Sequence, residues 1–265
     1  MSNFDKPTLS IVHYLNALPL SWGFIHGDQR SVFRLDFSPP SRCADLLLRG
    51  EVDVGLIPAI EYQRIENLKV VPNLAVASKN AVKSVLLISK LPVKQIRTVA
   101  TDSSSRTSVC LLKILFQAYF KTEATFTIEP PNVNRMLEKA DATLVIGDLA
   151  LKTGIDGLYR YDLGQEWRRF TGKPFVFAFW GVRETSSGFD SWVFEKSFQF
   201  GVSRLEEIVL DQSRSLGLSP SVIRSYITEN IDYSLDSENL DGLQTFFELA
   251  REYHLIDSLR KVEFL

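Results

Sequence analysis

The densest group of chemically useful side chains is the run Asp102-Ser103-Ser104-Ser105-Arg106-Thr107-Ser108, which directly precedes a predicted helix. Backbone N–H groups at the start of that helix, the hydroxyl groups and the Arg106 guanidinium would together bind a carboxylate or a phosphate. The run holds more polar side chains than a helix cap requires. We therefore expect an anion site here, with an ordinary Ser-rich turn and a solvated arginine as the alternative.

A second polar turn, His13-Tyr14-Leu15-Asn16-Ala17, follows the first predicted strand. Ligands of open α/β sheets bind at the carboxyl ends of strands, so Asn16 is a candidate to point its amide into a cleft. Capping the next helix is the simpler interpretation of Asn16. Glu61 and Asp148 stand at further strand ends and are weaker candidates on their own.

Metal and nucleotide chemistry have no support in the sequence. The three histidines and two cysteines, His13, His26, His254, Cys43 and Cys110, show neither HExxH nor CxxC spacing. There is no P-loop, no GxGxxG after a strand and no GxSxG elbow. We expect a site that works without a metal or an organic cofactor.

The overall charge excludes binding through a global positive field. The 265 residues carry a formal net charge of −2, with 45% hydrophobic and 23% charged residues. Nucleic acid and anionic membrane surfaces are held by an excess of positive charge, which is lacking here. We expect no nucleic-acid or membrane partner, and any anion must be recognised by a local site.

The compartment is predicted from three features. Residues 1–7 lack the basic segment and apolar core of a secretory signal. No apolar run approaches the roughly 20 residues needed to span a bilayer. Cys43 and Cys110 both fall in predicted helices and are expected to be buried thiols, as in a reducing compartment. We expect a cytoplasmic protein.

The elements that position these residues repeat in the order βαβαβ. In the first segment, residues 9–12, 32–37 and 52–57 are predicted strands, with helices from about 18 and from 41 to a stop at Gly50. In the second, residues 96–100, 125–128 and 143–146 are predicted strands, with helices at 107–120 and 133–139. Each unit predicts a mostly parallel sheet covered by helices.

Further strand-like runs at 70–77, 84–89 and 175–182 are followed by predicted helices at 189–214, 219–229 and 237–255. Two α/β lobes joined by extended crossovers, with a helical C-terminal tail, form a periplasmic-binding-protein-like (type 2) fold. We expect crossovers near 90 and 182. Residues 1–90 and 183–265 would then form lobe one and residues 91–182 lobe two, with a ligand cleft between them.

The sequence resembles the menaquinone biosynthesis family of the futalosine pathway, most closely its chorismate dehydratase branch. The stretches that match are residues 14–20, 49–58 with Glu61-Tyr62, 83–87, 102–108 and 147–151. The match runs from about residue 8 to 182, and the helical tail adds little. A sister enzyme, 1,4-dihydroxy-6-naphthoate synthase, usually carries Ser-Pro-Cys-Pro-Asn-Asp-Thr where this chain has Tyr-Leu-Asn-Ala-Leu-Pro, which favours the dehydratase.

The resemblance implies a lyase that dehydrates chorismate to 3-[(1-carboxyvinyl)oxy]benzoate without a cofactor. Chorismate has two carboxylates, so two anion sites in facing lobes suit it. The protein would supply orientation, carboxylate neutralisation and exclusion of water. The resemblance implies Asn16 as the catalytic residue, and it implies as substrate-binding residues Ser84, Ser105, Arg106, Thr107, Ser108 and Asp148.

None of the best-matching residues is a good base at neutral pH. Our hypothesis is that the enolpyruvyl carboxylate of the substrate takes the C3 proton, while Asn16 holds that side chain or the departing hydroxyl. Asp148, Glu61 and His13 are the alternative bases.

Two other functions compete with the dehydratase. One is the sister synthase. The other is a non-catalytic binding protein for a small carboxylate, because this fold binds more often than it catalyses. The absence of a signal sequence argues against an exported transport receptor, and no helix-turn-helix accompanies the lobes.

Overall fold

The computed structural model describes residues 6–154 and 156–265. Residues 1–5, on which part of the signal-sequence argument depends, lie outside the described residues. The strands are β1 Thr8–Ile11, β2 Arg34–Phe37, β3 Val54–Pro58, β4 Leu68–Ser78, β5 Val85–Ser89, β6 Thr98–Thr101, β7 Thr125–Ile128, β8 Ala142–Ile146, β9 Tyr159–Asp162, β10 Phe175–Arg183 and β11 Asp232–Leu235.

The helices are α1 Leu18–His26, α2 Pro40–Arg49, α3 Arg106–Ile114, α4 Val133–Lys139, α5 Gly147–Lys152, α6 Leu163–Thr171, α7 Trp192–Ser203, α8 Leu205–Leu216, α9 Pro220–Ser225 and α10 Ser237–Glu252. Leu15–Ala17 and Ala59–Gln63 form 3₁₀ turns, and π-helical segments at Leu115–Phe120 and Tyr226–Asn230 extend α3 and α9. Within the described residues, no helix is long and apolar enough to cross a membrane.

Two sheets form the two lobes. The first lobe has the strand order β11-β4-β10-β3-β1-β2, and the second lobe has the order β7-β6-β8-β5-β9. The two-lobed α/β class is confirmed, but each sheet is mixed rather than mostly parallel. β1, β2 and β3 pair in parallel, whereas β10 pairs antiparallel with both β3 and β4. In the second lobe β5 likewise runs antiparallel to β8 and β9.

The crossovers lie earlier in the chain than expected. β4 ends at Ser78 in the first sheet and β5 begins at Val85 in the second, so the chain crosses at residues 79–84. It returns at residues 172–174, between α6 and β10. The expected boundaries at 90 and 182 therefore assign β5 and β10 to the wrong lobes, because long apolar strands on both sides of a crossover look alike in sequence.

Local signals explain where the helices begin and end. Pro40 starts α2, and Gly50 ends it in the left-handed conformation with φ 73°, which glycine adopts without steric cost. Ser219 caps α9 by accepting from the Val222 N–H, with Pro220 in the first turn, as predicted.

The helical tail packs mainly on the first lobe. Phe24 of α1 contacts Trp180 of β10 and Phe194 of α7 edge to face, with ring centroids 5.9 and 5.4 Å apart. Buried aromatic pairs of this kind add to the area that their rings remove from water. They hold the start of the tail, at α7, against α1 and the central strands of the first lobe.

Candidate functional site

A cavity with an empty volume of about 570 Å³ lies between the lobes. Its polar lining comes from two turns that each follow a strand. The first lobe contributes Tyr14 and Asn16, and the second contributes Ser104 to Ser108. Apolar residues such as Phe177 complete the wall. The two turns singled out from the sequence therefore do meet at one place, at carboxyl ends of strands.

Asp102 fixes the turn that leads into α3. Its carboxylate accepts hydrogen bonds from the Ser104 N–H at 2.6 Å, from the Ser104 hydroxyl and from the Ser105 hydroxyl at 2.8 Å. Ser105 occupies the N-cap position of α3, but its side chain makes no capping bond. The first N–H groups of α3 are thus left for another acceptor, and an uncapped helix N-terminus in a cavity wall suits a carboxylate.

The Arg106 guanidinium is occupied by two carboxylates of the opposite lobe. Nη1 lies 2.9 Å from Glu61 Oε2, and Nη2 lies 2.8 Å from Asp45 Oδ1. Arg106 is therefore an ion-pair link across the cleft in this arrangement, which the sequence did not indicate. Direct contact between Arg106 and a substrate carboxylate stays a prediction.

Thr107 and Ser108 lie in the first turn of α3, and their hydroxyl groups serve different purposes. The Thr107 hydroxyl accepts from the Ile60 N–H of the first lobe at 3.2 Å, so it also connects the lobes. Ser108 is 6% exposed and lines the cavity. Of these two hydroxyl groups, that of Ser108 is therefore the better placed to bind a ligand in the cavity.

Asn16 does not cap a helix, so the capping interpretation is wrong. It lies within the 3₁₀ turn Leu15–Ala17, whose N-cap position is held by Tyr14, and α1 begins after Ala17. Neither N-cap residue makes a side-chain capping bond. The Asn16 amide is half-buried and lines the cavity.

Ser84 is fully buried, and its hydroxyl accepts from the Tyr226 hydroxyl at 2.7 Å. Tyr226 belongs to the helical tail, where it opens the segment Tyr226–Asn230. No pattern in the sequence distinguishes Tyr226 from an aromatic residue of the core. Its hydrogen bond to Ser84 is therefore seen only in the folded structure.

Asp148 connects the lobes through the Leu15 N–H, which donates to Asp148 Oδ1 at 3.0 Å. Burial raises the pKa of this carboxyl above its ordinary value. Glu61 is held between Arg64 and Arg106, and His13 is exposed beside Phe37. None of the three alternative bases, Asp148, Glu61 and His13, is among the residues that line the cavity.

Tyr14 is a cavity residue that sequence reasoning passed over, although it stands in the same turn as Asn16. Its ring covers Gly147, where a Cβ atom would approach the ring to 3.2 Å and where φ is 62°. Burial raises the pKa of the Tyr14 phenol, so the group stays protonated near neutral pH. Tyr14 therefore offers an O–H to a ligand from the first lobe.

Cys43 and Cys110 are free and buried, as predicted. Burial raises the pKa of each thiol to about 12, which keeps both unreactive. Across residues 6–154 and 156–265, no group of three or more histidine, cysteine or acidic side chains is arranged to hold a metal ion.

Comparison with known proteins decides the family. A sequence model described as menaquinone biosynthesis matches residues 7–252. The chain belongs to the menaquinone biosynthesis family. One curated relative is the chorismate dehydratase of Thermus thermophilus, which is 28% identical over 266 aligned residues that cover 91% of this chain and 93% of the relative.

Solved structures show that this family member shares its fold with binding proteins. A protein from Archaeoglobus fulgidus superposes with a TM-score of 0.79 at 17% identity, covering 96% of this chain and 99% of the other. The alkanesulfonate-binding protein from Xanthomonas axonopodis pv. citri, bound to MOPS, gives 0.69 at 14% identity, with 95% and 94% covered. These likenesses confirm the periplasmic-binding-protein-like fold.

Proposed function

We propose that this member of the menaquinone biosynthesis family is a cytoplasmic lyase that eliminates water from chorismate to give 3-[(1-carboxyvinyl)oxy]benzoate, in the futalosine pathway. The observation that carries the proposal is the cavity between the lobes, with an uncapped helix N-terminus facing it from one lobe and Tyr14 and Asn16 from the other. The similarity to a curated chorismate dehydratase over nearly the whole chain supports it.

Neutral donors would bind the two carboxylates of chorismate. The first N–H groups of α3 and the Ser108 hydroxyl suit one carboxylate, and the Tyr14 phenol and the Asn16 amide suit the other. These N–H and O–H dipoles are fixed in place and bind an anion without a positively charged side chain. Ser84, Ser105, Thr107 and Asp148 would support the site through the hydrogen bonds that fix its walls.

The elimination needs a proton acceptor near C3 of the ring. The enolpyruvyl carboxylate of the substrate takes the C3 proton, the C3–H electron pair forms the new ring double bond, and the C4 hydroxyl leaves as water after receiving that same proton from the carboxyl group. Aromatisation of the ring supplies the driving force. Support for this route comes from Asp148 and Glu61, whose carboxylates are engaged by protein donors away from the cavity lining.

Asn16 would orient the side chain of the substrate or assist the departing hydroxyl, since its amide both donates and accepts. The closed lobes would keep water from the reacting carbons. No metal or organic cofactor enters this scheme. Activity after exhaustive chelation and dialysis should therefore equal the activity before it.

Incubation of the purified protein with chorismate, followed by mass spectrometry, tests the proposal. We expect a product lighter than chorismate by one water molecule. Chorismate that binds but keeps its mass would identify a non-catalytic binding protein. Chorismate that is neither bound nor altered would favour the sister synthase.

A further inference from the structure

The corner between β8 and α5 in the second lobe touches the turn of the first lobe that carries Tyr14. β8 ends at Ile146 and α5 begins at Gly147, which lines the cavity together with Tyr14. A Cβ atom at position 147 would lie 3.2, 3.3 and 3.4 Å from Cδ2, Cε2 and Cγ of the Tyr14 ring. The ring therefore lies directly against the Cα atom of Gly147, and this contact joins the two lobes.

The backbone of this corner is held on both sides. The Gly147 N–H donates to the Ser84 carbonyl oxygen at 2.8 Å, at the end of the paired strands β5 and β8. The next residue, Asp148, accepts from the Leu15 N–H of the first lobe at 3.0 Å. Because the corner is anchored in the sheet, the Tyr14 side chain is the part that must move if position 147 carries a Cβ atom.

Glycine meets two requirements at position 147. Its φ of 62° lies in the left-handed region, which glycine adopts without steric cost. Any larger residue would also bring a Cβ atom closer to the Tyr14 ring than ordinary van der Waals contact. Gly217 shares only the first requirement. Its φ is 69°, and apart from its chain neighbours no heavy atom of the described residues lies within 4 Å of a Cβ atom built there.

We propose that Gly147 is a positioning residue that sets the place of the Tyr14 ring in the cavity when the lobes close. The inference rests on the proposed function for its kinetic consequence, because Tyr14 is one of the groups that would bind a carboxylate of chorismate. The contact itself does not depend on which substrate is bound. A methyl group at position 147 displaces the ring, so that the Tyr14 phenol no longer meets the carboxylate.

A double-mutant cycle with chorismate gives the first test. We expect Gly147→Ala and Tyr14→Ala each to lower kcat/KM roughly ten- to hundred-fold, because a group misplaced by about 1 Å can cost that much. The variant that combines both changes should be no slower than Tyr14→Ala alone, since the ring that the methyl group would displace is already absent. Gly217→Ala, which carries the backbone requirement without the contact, should keep the wild-type value.

Two kinetic results would overturn the inference. One is a wild-type kcat/KM in Gly147→Ala. The other is a further loss when Gly147→Ala is added to Tyr14→Ala, which would show that the methyl group obstructs the cavity directly rather than through the ring.

The NMR signals of the Gly147 Cα protons give a test that needs neither turnover nor a Gly147 variant that folds. A ring against the Cα atom shifts these protons through its ring current, and nuclear Overhauser contacts should join them to the Tyr14 ring protons. We expect Tyr14→Ala to move these signals and to leave those of Gly217 in place. Unmoved Gly147 signals would overturn the inference. A protein that shows the contact but leaves chorismate unchanged would overturn only the proposed function.

Discussion

Arg106 of the second lobe is paired with Glu61 of the first, with 2.9 Å between Arg106 Nη1 and Glu61 Oε2. The Glu61 side chain is 5% exposed, whereas that of Arg106 is 29% exposed. The same carboxylate is also paired with Arg64 of its own lobe, at 2.7 Å. One buried carboxylate therefore receives one arginine from each lobe, and only the bond to Arg106 depends on the lobes being closed.

Arg106→Ala should open the cleft. We expect the free energy of unfolding to fall by about 1–3 kcal/mol, because a mostly buried carboxylate loses a charged donor while keeping another. The radius of gyration in small-angle scattering should rise as the closed population falls. Arg64→Ala is the control: it removes a more exposed partner of Glu61 from the same lobe and should cost less than about 1 kcal/mol without expansion. Equal expansion in both variants would contradict a link across the cleft.

Asn16→Asp should abolish turnover while leaving the melting temperature nearly unchanged. Asn16 makes no capping bond, so neither Asp nor Ala at this position removes a cap. The carboxylate of Asp replaces a donor with a negative charge that repels a carboxylate of the substrate. Steady-state kinetics and thermal unfolding of the two variants measure both effects. Full activity of Asn16→Asp would remove the amide from the mechanism.

The parts of the fold marked by local signals were predictable from the sequence. Gly50 after a helical run and Ser219-Pro220 before one identify helix ends, because cap chemistry involves residues close in the chain. β9 and β11 escaped prediction since both are short and lack a continuous apolar run. The spacing of apolar residues also continues through the break between α7 and α8 at Arg204, so one long helix was expected there.

The candidate site was predictable as two turns but not as a set of contacts. Asn16 and the residues around Arg106 stand out because polar side chains follow strands at equivalent places in two repeated units. The partners of Arg106, Asp45 and Glu61, lie 61 and 45 positions away in the other lobe. No pattern in the neighbouring sequence can predict such pairs. The closure of the two lobes determines which surfaces meet across the cleft.

Asp148→Asn should make the protein more stable at neutral pH. The folded-state pKa of Asp148 is raised above its ordinary value of 3.8, so the wild type loses stability as pH rises from that value through the folded-state pKa. Asn removes this cost and still accepts from the Leu15 N–H. Urea unfolding at about pH 7 and about pH 3.5 should show a difference from wild type only at the higher pH.

Asp141→Asn should change the stability of the protein at neutral pH in the opposite direction to Asp148→Asn. Hydrogen bonds from the Arg97 and Thr98 N–H groups lower the pKa of Asp141 in the folded protein. Its ionised form therefore stabilises the fold above its ordinary pKa, and that contribution is lost as pH falls through the folded-state pKa. Asp141→Asn should be less stable than wild type at neutral pH and equal to it in acid. The same sign for both variants would contradict these assignments.

Ser108→Ala should weaken substrate binding without a change in stability. Ser108 lines the cavity, so we expect KM to rise about ten-fold, equivalent to about one hydrogen bond to a charged group. Thr107→Val is the contrasting variant, since it leaves the buried Ile60 N–H without its acceptor and should lower the free energy of unfolding by about 1–3 kcal/mol. A melting temperature that falls equally in both variants would show that Ser108 also serves the packing.

Proton NMR of chorismate during incubation with the protein tests the central claim most directly. We predict that the ring alkene signals disappear while four aromatic signals of a meta-substituted benzoate appear and the enolpyruvyl methylene signals remain, with the rate lost in Asn16→Asp. Chorismate that stays unchanged, or that yields a product without the enolpyruvyl ether, would contradict the account.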